Sequence, residues 1–348
     1  MRRIGAGFTV LFLIAWYLLG CAVHPITLEK QLMIISEEKE ISIGKRSDPV
    51  ILQQFGYYDD PALQEYVNEI GQKLAAVCNR NDITYYFKVV DSADINAFAL
   101  PGGWIYVTRG ILAMMNSEAE LAGVLGHEIG HVVGRDSANM ISQQTWFQIV
   151  ALAGMAASPT TRELAMAGNM LFDAMMLGYG REKEFLADSQ GVDYMFRAGY
   201  DPLQMVALQE SLGQLYQGPV GYARYLTTHP YVGDRINRAR AEAKVLYAMD
   251  NVFSPQGKAG GGKDTDTIKP PRKLIRADEY KMHLDGLAYG PPDNIRRIKI
   301  YTVGEDDTLA SIAGAGGDDP ERVVEIALLN GLEIGAPLYT GQKLKVVY

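Results

Sequence analysis

The chain is poor in cysteine: 348 residues contain only Cys21 and Cys78, so at most one disulfide is possible on count. It also lacks a positive balance. With 33 Lys and Arg against 41 Asp and Glu, the formal net charge is -8. That removes the electrostatic footprint of a nucleic-acid binder, and no nucleic-acid partner is expected. The apolar runs Phe8–Leu19 and Ile149–Ala157 are too short to span a bilayer comfortably. Repeats of the tetratricopeptide kind are absent, and histidine is scarce, at five residues. What is present is an apolar fraction of 48%, enough for a sizeable core, and a length that suggests about two or three domains.

Residues 1–20 read as an export signal. Arg2 and Arg3 form a short basic region, Phe8–Leu19 an apolar one, and the segment ends in Leu18-Leu19-Gly20-Cys21. That ending resembles the lipobox of bacterial lipoproteins, which implies cleavage before Cys21, acylation of Cys21 and, with Ala22 following, sorting to the outer membrane. An ordinary signal peptide or a signal anchor is the alternative. With Cys21 lipidated, Cys78 is expected to be a buried thiol.

Apolar residues at helical spacing run through 28–48. Asp60-Pro61 then reads as an N-cap followed by Pro at the first helical position, opening a helix that buries Leu63, Val67, Ile70 and Leu74. Ile83–Val90 and Trp104–Thr108 read as strands separated by the turn Pro101-Gly102-Gly103. Glu118–Val133 reads as a helix, as does the stretch from Asp136 to about Leu177, interrupted at Ser158-Pro159. Further helices are expected over Arg181–Arg197, closed by Gly199, and after Asp201-Pro202. Residues 254–272, with Ala259-Gly260-Gly261-Gly262 and Pro270-Pro271, read as a linker. The expected division is a signal over 1–20, a main body over 21–253, a linker and connecting segment over 254–298, and a small unit over 299–348.

The chemistry is carried by His127-Glu128-Ile129-Gly130-His131. On a helix, a spacing of i, i+4 sets both imidazoles on one face, able to grip one ion, with Glu128 placed to deprotonate water. The flanking Leu121, Val124, Leu125, Ile129 and Val132 make this a buried helix, where unpaired histidines would be costly. A catalytic zinc needs a third protein ligand. Ser137 stands where one class of such enzymes carries a third histidine. A carboxylate from another helix is therefore the leading candidate. The helix around Glu184 supplies it, with Asp188 one turn on as an acceptor that braces the site.

Asn96-Ala97-Phe98-Ala99-Leu100-Pro101-Gly102-Gly103, the histidine motif and Glu184-x-x-x-Asp188 occur in that order. The series resembles the HtpX/BepA/Oma group of zinc endopeptidases, related to the CAAX prenyl proteases, over residues 29 to 245. The resemblance implies an α+β fold: a mainly helical, zincin-like domain with a small β-sheet. It implies one zinc per chain held by His127, His131 and Glu184, with Glu128 as catalytic base. Thr228-His229-Pro230, followed by Arg235, matches a further segment of the family, which implies a catalytic role for His229 near the metal. Asp136 departs from the pattern, standing where many relatives carry another histidine. The resemblance also favours Gly103, Trp104, Ile105 and Tyr106 as an edge strand that binds substrate backbone by β-addition.

From Ile300 onward, a strand, two short helices and a closing strand ending in Gly341-Gln342-Lys343-Leu344-Lys345-Val346 resemble a LysM domain. Asp306 stands where glycine is usual. That resemblance implies either peptidoglycan binding or a packing domain. Taken together, the expected function is hydrolysis of unfolded or misassembled envelope proteins at the periplasmic face of the outer membrane, on a lipid anchor. Cleavage of peptidoglycan cross-links and a non-proteolytic assembly scaffold are the alternatives.

Overall fold

The computed structural model describes residues 21–23, 26–143, 179–215, 228–230, 232–253, 273–314 and 320–348. The expected signal over 1–20, the stretch from 144 to Leu177 and the linker over 254–272 lie outside the described residues. Strands β1 (Cys21–Val23) and β2 (Lys30–Leu32) pair antiparallel. Helices α1 (Glu37–Phe55) and α2 (Pro61–Ala75) lead to strands β3 (Tyr86–Val90), β4 (Ala97–Leu100) and β5 (Trp104–Thr108). A short α3 (Arg109–Met114) precedes α4 (Glu118–Gly134). Then come α5 (Arg181–Arg197), α6 (Leu203–Leu215) and α7 (Val232–Phe253). The chain closes with α8 (Ala277–His283), β6 (Ala288–Tyr289), β7 (Arg296–Thr302), α9 (Leu309–Ala313), α10 (Pro320–Leu329) and β8 (Lys343–Val347). The fold is therefore mainly helical with small sheets, and no described helix is long and apolar enough to cross a membrane.

The first helix differs from its apolar spacing. Residues 30–32 form a strand, Leu28 is exposed, and the helix starts only at Glu37 and runs through Pro49 to Phe55. Polar chemistry sets that start: Ser36 accepts from the Lys39 amide, and Glu37, Glu38 and Glu40 suit the positive end of the helix dipole. In α2 the cap is as read, with the Asp60 side chain accepting from the Leu63 amide and Pro61 in the first turn.

The central sheet has the order β3-β5-β4, with β5 parallel to β3 and antiparallel to β4. Side chains alternate across it. Phe98, Leu100, Trp104 and Tyr106 face a small cluster closed by Ile41 and Leu52 of α1. Ala97, Ala99, Ile105 and Val107 face the main core, which α2, α4, α5 and α6 fill. Two glycines permit the turn from β4 into β5, at φ of 77° for Gly102 and 103° for Gly103, a region that bulkier residues avoid.

The last elements pack onto the start of α4. Lys345, fully buried, donates to the carbonyls of Ala113 and Met115, each at 2.6 Å. Arg109 donates to the carbonyls of Ala288 and Gly290, and the Tyr280 hydroxyl to that of Leu112. Ile298, Leu329 and Val347 join the main core, while Val303, Leu309, Ile326 and Leu344 form a small core of their own. Asp306, at φ 63°, adopts the left-handed conformation that its turn demands, which Asp tolerates better than most residues.

Helix α1 meets the sheet at Gly44, where a β-carbon would stand 2.1 Å from the Pro101 carbonyl and 2.4 Å from the Trp104 ring. Neither neighbour can withdraw without moving the turn. Gly44→Ala should therefore cost about 1–3 kcal/mol of stability, seen as a lowered midpoint in thermal denaturation; an unchanged midpoint would contradict this packing.

Candidate metal centre

The Ser117 hydroxyl caps α4 by accepting from the Glu120 amide, and every residue from Glu118 to Gly134 is buried. Against it lies α5, and the two helices touch almost backbone to backbone. A β-carbon on Gly126 would stand 3.2 Å from the Gly191 Cα, and one on Gly130 would stand 2.9 Å from the Ala187 Cα. Small residues at these crossings allow the Glu184 carboxylate to reach the two imidazoles of the neighbouring helix.

His127, His131, Glu184 and His229 each offer one ligand atom, and these atoms lie within 4.8 Å of one another, all buried. The two Nε2 atoms of His127 and His131 are 3.1 Å apart. Glu184 Oε2 lies 3.5 Å from His127 Nε2, and its Oε1 lies 3.4 Å from His131 Nε2. His229 Nδ1 is 3.1 Å from His127 Nε2 and 3.3 Å from Glu184 Oε2. The remaining nitrogen, His229 Nε2, faces Glu128 Oε1 at 3.5 Å and the Ala97 carbonyl at 3.4 Å.

Outer partners orient the rings. His127 Nδ1 is 2.9 Å from Asp188 Oδ1, and His131 Nδ1 is 2.8 Å from Asp136 Oδ2. With each Nδ1 donating to its carboxylate, both Nε2 lone pairs point into the cluster. Asp188 is in turn clamped by Arg235, whose Nε donates to Oδ2 at 2.6 Å. Arg235 also lies 2.9 Å from Glu184 Oε2 and donates to the His229 carbonyl at 3.0 Å. Asp136 is reached because Arg135, at φ 55°, ends α4 in the left-handed conformation, with its side chain donating to Glu40 at 2.7 Å.

The donor set fits a zinc ion. Tetrahedral bonds of about 2.0–2.1 Å set ligand atoms about 3.3–3.4 Å apart, close to the spacings above. Two lone pairs facing each other at 3.1 Å repel unless a cation or a proton stands between them. The charge balance points the same way. Burial opposes charge on His131, but the hydrogen bonds that the charged ring donates to Asp136 and Glu184 outweigh it and push the imidazole up to about 10. Burial lowers His127 below the ordinary histidine range. Burial would raise Glu184, but the surrounding His229 and His131 hold it well below the usual carboxylate range. Glu128 is fully buried and, among the described residues, neither of its oxygens accepts a hydrogen bond. A dry carboxylate of this kind calls for water or a cation beside it.

Thus the structure gathers His127, Glu128, His131, Glu184, Asp188 and His229 into one cluster. Sequence reasoning passed over Asp136 as a partner of His131; its position just past a helix end that turns back was the available signal. Arg235, noted only as part of a matching segment, supplies the cation beneath Asp188 and Glu184. The strand expectation needs correction. Gly103, Trp104, Ile105 and Tyr106 do not lie at an edge, because β5 is the middle strand and both its sides are hydrogen-bonded, to β3 and to β4. Among the described residues, β4 pairs with β5 alone, and its outer side faces His229.

Residues 61–243 match the model of peptidase family M48. The mitochondrial metalloendopeptidase OMA1 of Arabidopsis thaliana is 34% identical over 188 residues, covering 54% of this chain and 37% of that protein. A putative beta-barrel assembly-enhancing protease of Vibrio cholerae is 32% identical over 194 residues, with 53% and 40% covered. The beta-barrel assembly-enhancing protease of Escherichia coli K12 is 29% identical over 199 residues, with 55% and 41% covered. The chain thus spans about two fifths of the length of these curated relatives.

Removing the acceptor of His131 should loosen the metal without removing a ligand. Asp136→Ala is expected to weaken zinc binding about 10–100-fold in chelator competition; wild-type affinity in that variant would show that Asp136 does not hold the ring.

Proposed function

The chain belongs to peptidase family M48, and from that premise we propose that it is a zinc endopeptidase acting on unfolded or misassembled proteins of the bacterial cell envelope. The observation that carries this reading is the four-ligand cluster with the buried Glu128 beside it, its Oε1 3.5 Å from His229 Nε2.

His127, His131 and Glu184 would hold the ion, and His229 Nδ1 stands within reach of the same place. When bound, zinc supplies Lewis acidity, polarising the scissile carbonyl and acidifying water. Glu128 takes the proton from the attacking water and returns it to the leaving amine. Among the described residues neither oxygen accepts a hydrogen bond, which leaves them available for that transfer. His229 Nε2, beside Glu128 Oε1, can donate to the oxygen on which charge develops. Asp136, Asp188 and Arg235 keep the rings and Glu184 in register.

Substrate backbone is assigned to β4, whose outer edge faces the cluster. Pairing through main-chain groups tolerates many sequences, which suits unfolded proteins. The names of the bacterial relatives, beta-barrel assembly-enhancing proteases, support an envelope setting and a protein substrate over peptidoglycan cross-links. The proposed chain is exported by residues 1–20, lipidated on Cys21 and held at the periplasmic face of the outer membrane. Its peptidase body is assigned to 21–253, its linker and connecting segment to 254–298. A LysM-like unit is assigned to 299–348, supported by the order β7-α9-α10-β8, with peptidoglycan as its partner.

Glu128→Gln should retain its zinc and lose cleavage of unfolded casein on the order of a hundred- to ten-thousand-fold. Substantial cleavage by that variant would remove Glu128 from the chemistry, and with it this mechanism.

A further inference from the structure

The outer edge of β4 is already in use. The Thr108 amide donates to the Asn96 carbonyl at 3.0 Å, so residue 96 spends its carbonyl on β5. Antiparallel pairing alternates. Phe98, opposite Tyr106, and Leu100, opposite Trp104, therefore also face β5, while Ala97 and Ala99 present their main-chain groups outward. A substrate strand added to this edge would donate an amide to the Ala99 carbonyl. In the structure the Ser137 hydroxyl stands in that place, donating to the Ala99 carbonyl at 3.3 Å. A serine hydroxyl carries one proton. With that proton given to Ala99, the Tyr179 hydroxyl, 2.7 Å from Ser137 Oγ, must be the donor to Ser137. The Tyr179 ring is fixed against His131, with centroids 4.1 Å apart. A hydrogen-bonded relay thus runs from Tyr179 through Ser137 to the substrate edge, and it rests on a side chain assigned to the metal.

We propose that Ser137 and Tyr179 form a latch that occupies a substrate amide's place on the edge strand, so that a peptide binds only by displacing the Ser137 hydroxyl from the Ala99 carbonyl. The inference rests on the peptidase reading above and names the residues that control access to it. Ser137 is placed for this by the same left-handed turn at Arg135 that brings Asp136 onto His131. One turn of chain thus orients a candidate ligand and occupies the strand edge beside it. Removing the Ser137 hydroxyl removes the competitor for Ala99, and removing the Tyr179 hydroxyl takes away the bond that holds Ser137 in place; neither change touches a ligand.

The test uses full-length, zinc-loaded protein in a Glu128→Gln background, so that substrate is bound and not consumed. Binding of fluorescein-labelled, reduced and carboxymethylated casein is followed by anisotropy for the parent, for added Ser137→Ala and for added Tyr179→Phe. Ser137→Ala should tighten binding by about three- to tenfold, the scale of one hydrogen bond, and Tyr179→Phe, which frees Ser137 to turn away from Ala99, should tighten it by less. The two together should do little more than one, because they break the same relay. Unchanged or weaker binding in both variants, with casein cleavage by the unmutated chain intact, would overturn the latch alone. A shifted melting midpoint without a change in affinity would also overturn it, leaving Ser137 and Tyr179 as packing groups. No binding by any variant, together with no cleavage by the unmutated chain, would overturn the peptidase reading and the latch with it. Should Ser137→Ala fail to fold, Tyr179→Phe, which keeps the ring against His131, decides the matter.

Discussion

Everything at the centre depends on how closely α4 and α5 approach. Glu184 can share an ion with two histidines of another helix only if the helix axes come nearer than ordinary side chains allow. Gly126 and Gly130 on one helix, against Ala187 and Gly191 on the other, supply that closeness. A methyl group at Gly130 would meet the Ala187 backbone at 2.9 Å, so widening is the only relief. Close packing there is transmitted with little loss, because interiors of this density deform reluctantly. The glycine inside the histidine motif is thus as much a condition of the site as the histidines.

The second constraint is charge. Glu128, Glu184, Asp136 and Asp188 are all buried, and isolated carboxylates in such a place would be costly. Arg235 answers part of that charge, bridging Asp188 and Glu184, and Lys183 stands 3.1 Å from Asp136. The same carboxylates favour positive charge at the cluster, raising His131 above the ordinary histidine range. A divalent cation would relieve this balance. The cluster is therefore organised for an ion before the ion arrives, with its outer partners already fixing the rings. Preorganisation of this kind limits what must move on binding.

Local pattern carried much of this into the sequence. Histidines at i, i+4 within an apolar helix gave α4 to within one residue at its end, and α5 has the expected bounds, Arg181–Arg197. Asp60-Pro61 capped α2 as its chemistry requires. Long-range arrangement was less legible. Trp104–Thr108 has the expected bounds, but whether a strand is central or an edge is decided by its partners, which its own residues do not encode. The same holds for Asp136, whose role depends on a left-handed Arg135, and for Ser137 and Tyr179, which meet across 42 positions of sequence. The docking of Lys345 beneath the start of α4 is likewise a contact that no linear spacing announces.

One zinc ion is assigned to the point where His127, His131 and Glu184 converge. Anomalous diffraction at the zinc absorption edge, from crystals of the zinc-loaded chain, tests this most directly. A single strong peak is expected within about 2.0–2.2 Å of Nε2 of His127, Nε2 of His131 and a Glu184 oxygen. A peak elsewhere in the chain, or none at this cluster in zinc-replete crystals, would contradict it.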